Sequence, residues 1–266
     1  MSSIYQLPLK EKYIEVLLPE PSQSPSFFAF APHKSGSVLL RKVLEDICDI
    51  NKIPVINIPK LIFKHGESVS NINKQWDVIL KEKGYAYLGF RNFPNYPSSF
   101  KFQNVKNILQ VRDPRDMLVS SYFSEAFSHP LPNSGTKRES MLKARSKIIN
   151  QSIDEYVLEK SSVFLKSYHT FSEKLPTGNT KIFRYEDIIF NKKNWIIEIS
   201  NYLGLNVEND EINKILEKVD IVPAQENHRK HVRKVTPGDH KSKLSSKTIQ
   251  KLNEIFNGVL SRYNYI

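Results

Sequence analysis

The run Ser26-Phe27-Phe28-Ala29-Phe30-Ala31, then Pro32-His33-Lys34-Ser35-Gly36-Ser37, then Val38, Leu39, Val43, Leu44, Ile47 and Cys48 decides how this chain folds. The first stretch is short, apolar and continuous, as a strand buried on both faces reads. The second carries Pro and Gly and has the composition of a turn. In the third the apolar residues recur at helical spacing, which predicts a helix over Ser37 to Ile50. Strand, glycine-bearing turn and helix in that order open a nucleotide-binding α/β sheet.

Working outward, strands are predicted at Ile53 to Ile58, Tyr85 to Phe90, Val105 to Val111 and Thr180 to Phe183, with helical patterns between most of them. That alternation predicts a single α/β domain with a mainly parallel central sheet flanked by helices. Ser152-Ile-Asp-Glu155 has the form of a capping box. Trp195, Ile196, Ile199, Tyr202 and Leu203 line a helix that stops at Gly204. Ile212, Ile215, Leu216 and Val219 line another, and Ile249, Leu252, Ile255, Phe256 and Val259 line the last, which is expected to close the core. Residues 1–24 read as a loosely ordered extension with its hinge at Pro19 to Pro25, and 25–266 as the domain.

Composition sets bounds on function. The chain has 266 residues, enough for a large core, and 39 Lys+Arg against 28 Asp+Glu give a net charge of +11. Such an excess suits an anionic partner, whether nucleic acid, anionic lipid or a phosphate-bearing small molecule, and equally a solvated surface. No run of basic residues interleaved with aromatics marks a nucleic-acid platform, so no nucleic acid is expected. The longest apolar stretch, Phe27 to Ala31, is far too short to span a membrane. Charges at Lys10, Glu11, Lys12 and Glu15 break up what would be the apolar core of a signal peptide. The single Cys48 excludes an intramolecular disulfide and a cysteine-rich zinc site. A cytoplasmic protein without a metal is expected.

Three segments carry chemistry. The turn Pro32 to Ser37 precedes a helix N-terminus, where open N–H groups and the helix dipole favour an anion. Lys34 adds a cation, Ser35 and Ser37 add hydroxyls, and Gly36 permits close approach. The pattern G-x-x-x-x-G-K-[ST] of an ATPase loop is absent, because Lys34 precedes the glycine. An ordinary βα turn with a surface lysine would read the same way. In Arg112-Asp113-Pro114-Arg115-Asp116-Met-Leu-Val-Ser120-Ser121, Asp113 is an N-cap, Pro114 the first helical residue and Asp116 the third. That places Ser120 about two turns into the helix from Arg112. His231-Val-Arg233-Lys234-Val-Thr-Pro-Gly238-Asp-His-Lys241 is basic and too rich in breakers for a helix. It fits a solvated loop, or a flap in which Arg233 makes the multidentate contacts of guanidinium with phosphate.

Taken together these segments resemble the cytosolic-type sulfotransferases, whose sulfuryl donor is 3′-phosphoadenosine 5′-phosphosulfate (PAPS). Pro32 to Ser37 is similar to the family's phosphosulfate loop, P-K-S-G-T-T-W. Arg112 with Ser120 resembles its 3′-phosphate pair, and Arg233-Lys234-Val-Thr-Pro-Gly238-Asp239-His-Lys241 its R-K-G-x-x-G-D-W-K segment. Tyr185-Glu186-Asp187 resembles its adenine-side Y-E-D element. The resemblance implies PAPS as co-substrate and adenosine 3′,5′-bisphosphate (PAP) as product, held by Lys34, Ser35, Gly36, Ser37, Val38, Arg112, Ser120, Tyr185, Arg233 and Lys234.

Two departures bear on mechanism. Val38-Leu39 replaces the tryptophan that follows the family's loop, which shifts adenine stacking toward Tyr185. Phe90-Arg91-Asn92-Phe93-Pro94 stands where the eukaryotic cytosolic members have K-T-H-L-P, with Asn92 in place of the catalytic histidine, and asparagine accepts no proton from an alcohol. Sulfuryl transfer needs a cation at the bridging oxygen and a base for the acceptor proton. Lys34 is the expected cation and Arg91 a second positive contact. For the base, His65 and Glu67 come first, since a glutamate a few tens of residues after the loop serves in the carbohydrate branch; His129 and His33 follow. Residues 61–83 and 123–147 read as covers over an acceptor pocket for a small-molecule or carbohydrate acceptor. A nucleotide-binding module without turnover is the alternative, and a nucleic-acid-binding protein, suggested by the +11 charge, a weaker one.

Overall fold

The computed structural model describes residues 2–8, 13–65, 79–94, 100–129, 131, 136–223, 225–228 and 233–266, with backbone alone at 136 and 137. Its centre is a five-stranded sheet in the order β4 (Val55–Ile56), β5 (Ala86–Phe90), β3 (Phe27–Phe30), β6 (Lys106–Val111), β7 (Thr180–Arg184). Every pairing in it is parallel. The alternation of β3 divides the core. Phe28 and Phe30 face one side, where Phe28 stacks on Tyr87 at 4.5 Å between ring centroids, and join α3 (Pro114–Phe123), α5 (Ile153–Lys174) and α10 (Ser246–Arg262). Phe27, Ala29 and Ala31 face the other, against α1 (Ser37–Ile50), α7 (Lys192–Leu203) and α8 (Asn209–Val219). Strands buried on both faces are why these runs lack the polar alternation of a half-exposed sheet.

Helix ends follow their local chemistry. Ser152 and Glu155 form a reciprocal capping box at the start of α5, and Gly204 ends α7 in the left-handed region at φ 75. Asp113 caps α3 by accepting from Arg115 N at 2.9 Å, with Pro114 next.

Two expectations are corrected. The predicted strand from Ile53 to Ile58 is cut to Val55–Ile56, because Asn57 caps a helix, α2 (Ile58–Lys64), by accepting from Lys60 N at 3.0 Å, and Pro59 sits in its first turn. The described residues of the N-terminal segment are not loose. β1 (Ser3–Pro8) and β2 (Tyr13–Leu18) form an antiparallel hairpin whose Leu7, Ile14, Val16 and Leu18 are buried in the larger core cluster. The expected hinge is tied down as well: Tyr85 Oη donates to Pro19 O at 2.8 Å and Gly84 N to Ser24 O at 2.8 Å. Period-two alternation in Tyr13–Leu18, one face buried and one exposed, is the physical reason.

Candidate active site

Because β3, β5, β6 and β7 run parallel, their C-terminal ends share one edge of the sheet. Pro32 to Gly36 leave β3, Arg91 leaves β5, Arg112 leaves β6 and Tyr185 leaves β7. β3 connects onward to β4 and β5 on one side, while β6 lies on its other side. The crevice between the ends of β3 and β6 is thus the topological switch point, where open α/β sheets bind ligands.

The turn after β3 is built tightly. Ser35 N and Oγ donate to Pro32 O at 3.1 and 2.8 Å, and Gln110 Nε2 on β6 donates to Ser35 O at 2.5 Å. Gly36 lies at φ 91, and a Cβ there would stand 2.5 Å from Gln110 Nε2 and 2.9 Å from Tyr185 Cδ2, so only glycine fits. Among the described residues no side chain caps α1, which leaves the N–H groups around Ser37 and Val38 open to an anion. The Ser35 hydroxyl, expected to face the donor, is wholly buried and closes the turn instead.

Lys34 itself has a left-handed backbone, φ 67. Burial, then Arg91 and Arg112, and further off Arg233, push its ammonium down to about 8, with Glu125 opposing. Those charges come from the ends of β5 and β6 and from the basic segment, so the segments singled out in the sequence meet around Lys34. Arg112 donates through Nη1 to Lys34 O at 3.3 Å, lies 4.5 Å over the Tyr185 ring, and keeps a buried Nε without a partner among the described residues. Tyr185 Oη donates to Val235 O at 3.1 Å, and Tyr185, Ile189 and Val235 form a small apolar cluster with Leu39 of α1. Ser120 is half-buried on α3, and Ser37 and Val38 are half-buried in the first turn of α1.

The basic segment is held in place by carboxylates. Arg233 pairs with Glu226 and Asp239 and lies 4.3 Å over the Phe123 ring; Lys234 pairs with Asp239 at 2.9 Å. Asp116, wholly buried, accepts from Gly238 N at 2.7 Å, His240 N at 3.0 Å and His240 Nδ1 at 2.7 Å, with Arg112 at 3.7 Å. Burial works against its ionisation, but the His240 side chain, Arg112 and the His240 amide outweigh it and hold its carboxyl at about 2. The residue read from sequence as a helix-start acid is thus the link between α3 and the basic segment. His231 lies outside the described residues.

Beside Lys34 opens a cavity of about 210 Å³, lined among others by His33, Ser121, Glu125, His129 and Arg145. His33 keeps an exposed face; desolvation within the crowded site, then Arg91, Lys34 and His129, lowers its pKa. Of the two first candidates for the base, His65 stands exposed at the C-terminal cap of α2 and does not line this cavity, and Glu67 lies outside the described residues. Arg91 is half-buried and Asn92 exposed. Gln110, Glu125 and Arg145 were not singled out from the sequence. Gln110 had a signal, an amide among the apolar residues Ile108, Leu109 and Val111 of its strand; Glu125 and Arg145 had none. A larger hollow of about 410 Å³ runs along β7 between Lys181 and Asn264, and none of the phosphate-loop residues lines it. Among the described residues no group of three or more His, Cys, Asp or Glu is placed to hold a metal ion.

An α/β sheet with an open helix N-terminus at its switch point, cations converging on a lysine and an adjoining cavity has the chemistry to accept a phosphate-bearing ligand. The sulfotransferase domain profile matches residues 24–264, and the chain belongs to that family. Among solved structures it is similar to a mouse sulfotransferase (SULT7A1) complexed with PAP, at 18% identity and TM-score 0.59 over 90% of this chain and 85% of that one. It is also similar to retinol dehydratase with androsterone and inactive cofactor PAP, at 14% identity, TM-score 0.52, 90% and 82% coverage. Retinol dehydratase with retinol and PAP gives 14%, 0.53 and the same coverage. A search of curated protein sequences gave no match.

Proposed function

We propose that this enzyme transfers a sulfuryl group from PAPS to a hydroxyl or amine of a small-molecule or carbohydrate acceptor, releasing PAP. The observation that carries the reading is the meeting of the Lys34 turn, Arg112, Tyr185 and Arg233 at the switch point of the sheet. In this reading the 5′-phosphosulfate lies on the open N-terminus of α1, against the Ser37 and Val38 amides. The turn at Ser35 and Gly36 shapes its cradle. The 3′-phosphate is met by Arg112, Ser120, Arg233 and Lys234, and the adenine lies toward Tyr185. Among the described residues Arg112 has an unused Nε–H, and Arg233 has donors beyond those given to Glu226 and Asp239.

Negative charge grows on the bridging oxygen as the S–O bond breaks. Lys34 donates there, and Arg91 stabilises the transferred group. With its pKa near 8 in the free protein, Lys34 is mostly charged at neutral pH, and an anionic donor holds it so. The cavity beside Lys34 is the place for the acceptor; its mixture of Met141, Ile148 and polar groups suits a molecule with both an apolar body and a hydroxyl. No helix among the described residues is long and apolar enough to cross a membrane, and a single buried Cys48 without a disulfide is compatible with a cytoplasmic location. Incubation with PAPS and a panel of phenols, alcohols, amines and glycans, read by mass spectrometry, tests the reading. A product heavier by one SO₃, with matching PAP release, supports it; PAP binding without transfer to any acceptor class favours a nucleotide-binding module.

A further inference from the structure

The helix that follows the Arg112 segment does not end in an ordinary way. After α3 the chain widens into a π-helical turn, Ser124–Ser128, closed by His129 N donating to Ser124 O at 2.7 Å, five residues back. Single π turns insert an extra residue into a helix and concentrate at functional sites. Here the turn carries Glu125 at its start and delivers His129 at its end, and both line the cavity beside Lys34. Arg145 of α4 (Thr136–Ile149) grips both positions: its Nη2 donates to His129 O at 2.6 Å and its Nε to Glu125 O at 3.2 Å. Tyr156 Oη donates to Ser121 Oγ at 3.1 Å, and Ser121 Oγ to Glu125 Oε1 at 3.0 Å, which fixes the carboxylate as an acceptor. A wide turn clamped by a half-buried arginine, with its acid oriented by a hydroxyl chain, is a built arrangement rather than a frayed helix end.

Resting on the PAPS reading above, we infer that His129 is the base that takes the acceptor's proton, that Glu125 is the carboxylate that stabilises the imidazolium, and that Arg145 is their positioning residue. The step balances: the acceptor O–H proton passes to the free imidazole nitrogen, the oxygen's electron pair forms the new O–S bond, and the S–O bond to the phosphate breaks. PAP departs with that electron pair, and the imidazolium returns its proton to water. The groups facing His129 are Lys34 and His33 from the loop after β3, Arg91 from β5, Glu125 from its own turn and Arg145 from α4. Burial first, then Lys34 and Arg91, lower its pKa, so the ring is neutral and able to accept at pH 7; Glu125 opposes that lowering. Asn92, at the position of the family's histidine, leaves this role open.

The test uses the full chain with PAPS and an aliphatic alcohol acceptor found active for the wild type. His129→Gln, which keeps volume and hydrogen bonding, is expected to lower kcat/KM for the acceptor by at least about a hundredfold, the usual contribution of a general base. PAP affinity measured by calorimetry should stay within about twofold. The acidic limb of the kcat/KM profile should vanish in that variant. In Glu125→Gln the limb should move to lower pH, because the charge that raises His129 has gone. Arg145→Met should lower kcat without changing PAP affinity, and Arg145→Lys should recover part of it. A His129→Gln enzyme that keeps both its rate and its acidic limb overturns the inference, as does a limb that Glu125→Gln leaves in place. A wild-type chain that binds no PAP and transfers nothing fails the donor reading instead, and the inference falls with it.

Discussion

Gly36→Ala tests the architecture of the donor loop, and its cost is readable from two independent terms. The residue lies at φ 91, where an L side chain is strained; a left-handed backbone costs a non-glycine residue about 1–2 kcal/mol. The new methyl would stand 2.5 Å from Gln110 Nε2 and 2.9 Å from Tyr185 Cδ2. Neither neighbour yields freely: Gln110 is tied to Ser35 O at 2.5 Å, and the Tyr185 ring has Arg112 at 4.5 Å and its hydroxyl on Val235 O. Overpacking of this kind adds about 1–3 kcal/mol, for a total of roughly 2–5 kcal/mol. Gly204→Ala supplies the control. Its φ of 75 carries the same backbone strain, but the nearest atom to a Cβ is Lys106 Nζ at 3.8 Å, so its cost should stop at about 1–2 kcal/mol. Urea unfolding of the two variants and the wild type separates the terms, and Gly36→Ala should also weaken PAP binding while Gly204→Ala should not. Equal destabilisation by both variants, with PAP affinity intact in each, would refute the claim that the loop is packed against Gln110 and Tyr185.

Lys34→Ala should lower kcat by about a hundredfold, comparable with loss of an oxyanion donor, and weaken PAPS binding far less; wild-type kcat/KM should fall as pH rises through about 8, where Lys34 loses its proton, and steady-state kinetics that show neither would remove Lys34 from the chemistry. Asp116, held at about 2 against an ordinary 3.8, contributes stability that is fully present above about pH 4 and drains away as pH falls toward 2; Asp116→Asn should flatten that part of the acid-unfolding curve, followed by circular dichroism. Leu7→Ala, in the buried face of the N-terminal hairpin, should cost about 2–5 kcal/mol in urea unfolding, whereas a loose extension would cost nothing.

The sheet and helices were legible where one local signal acted alone. The helix from Ser37 to Ile50 followed from its periodicity, the starts of α3 and α5 from Asp113-Pro114 and from Ser152 and Glu155, and the end of α7 from Gly204. Competing signals were misread. Asn57 and Pro59 turned an apolar run into a helix start, and the charges around Lys10 to Lys12 hid the alternation of Ile14, Val16 and Leu18. Lys34, Arg112, Tyr185 and Arg233 stand out in the sequence because each sits in a recognisable segment. Asp116's hold on Gly238 and His240 joins residues far apart in the chain, and Arg145's grip on the π turn joins two consecutive elements. No local pattern announces such pairs, since each depends on how separate elements pack against one another.

Calorimetric titration with PAP and with AMP, on the wild type and on Arg112→Met, tests most directly whether the four segments form one bisphosphate site. The account predicts that PAP binds at least tenfold more tightly than AMP, about 1.4 kcal/mol or more, and that Arg112→Met removes most of that preference while leaving AMP binding little changed. Equal affinities for PAP and AMP in the wild type, or a preference that survives the loss of Arg112, would contradict it.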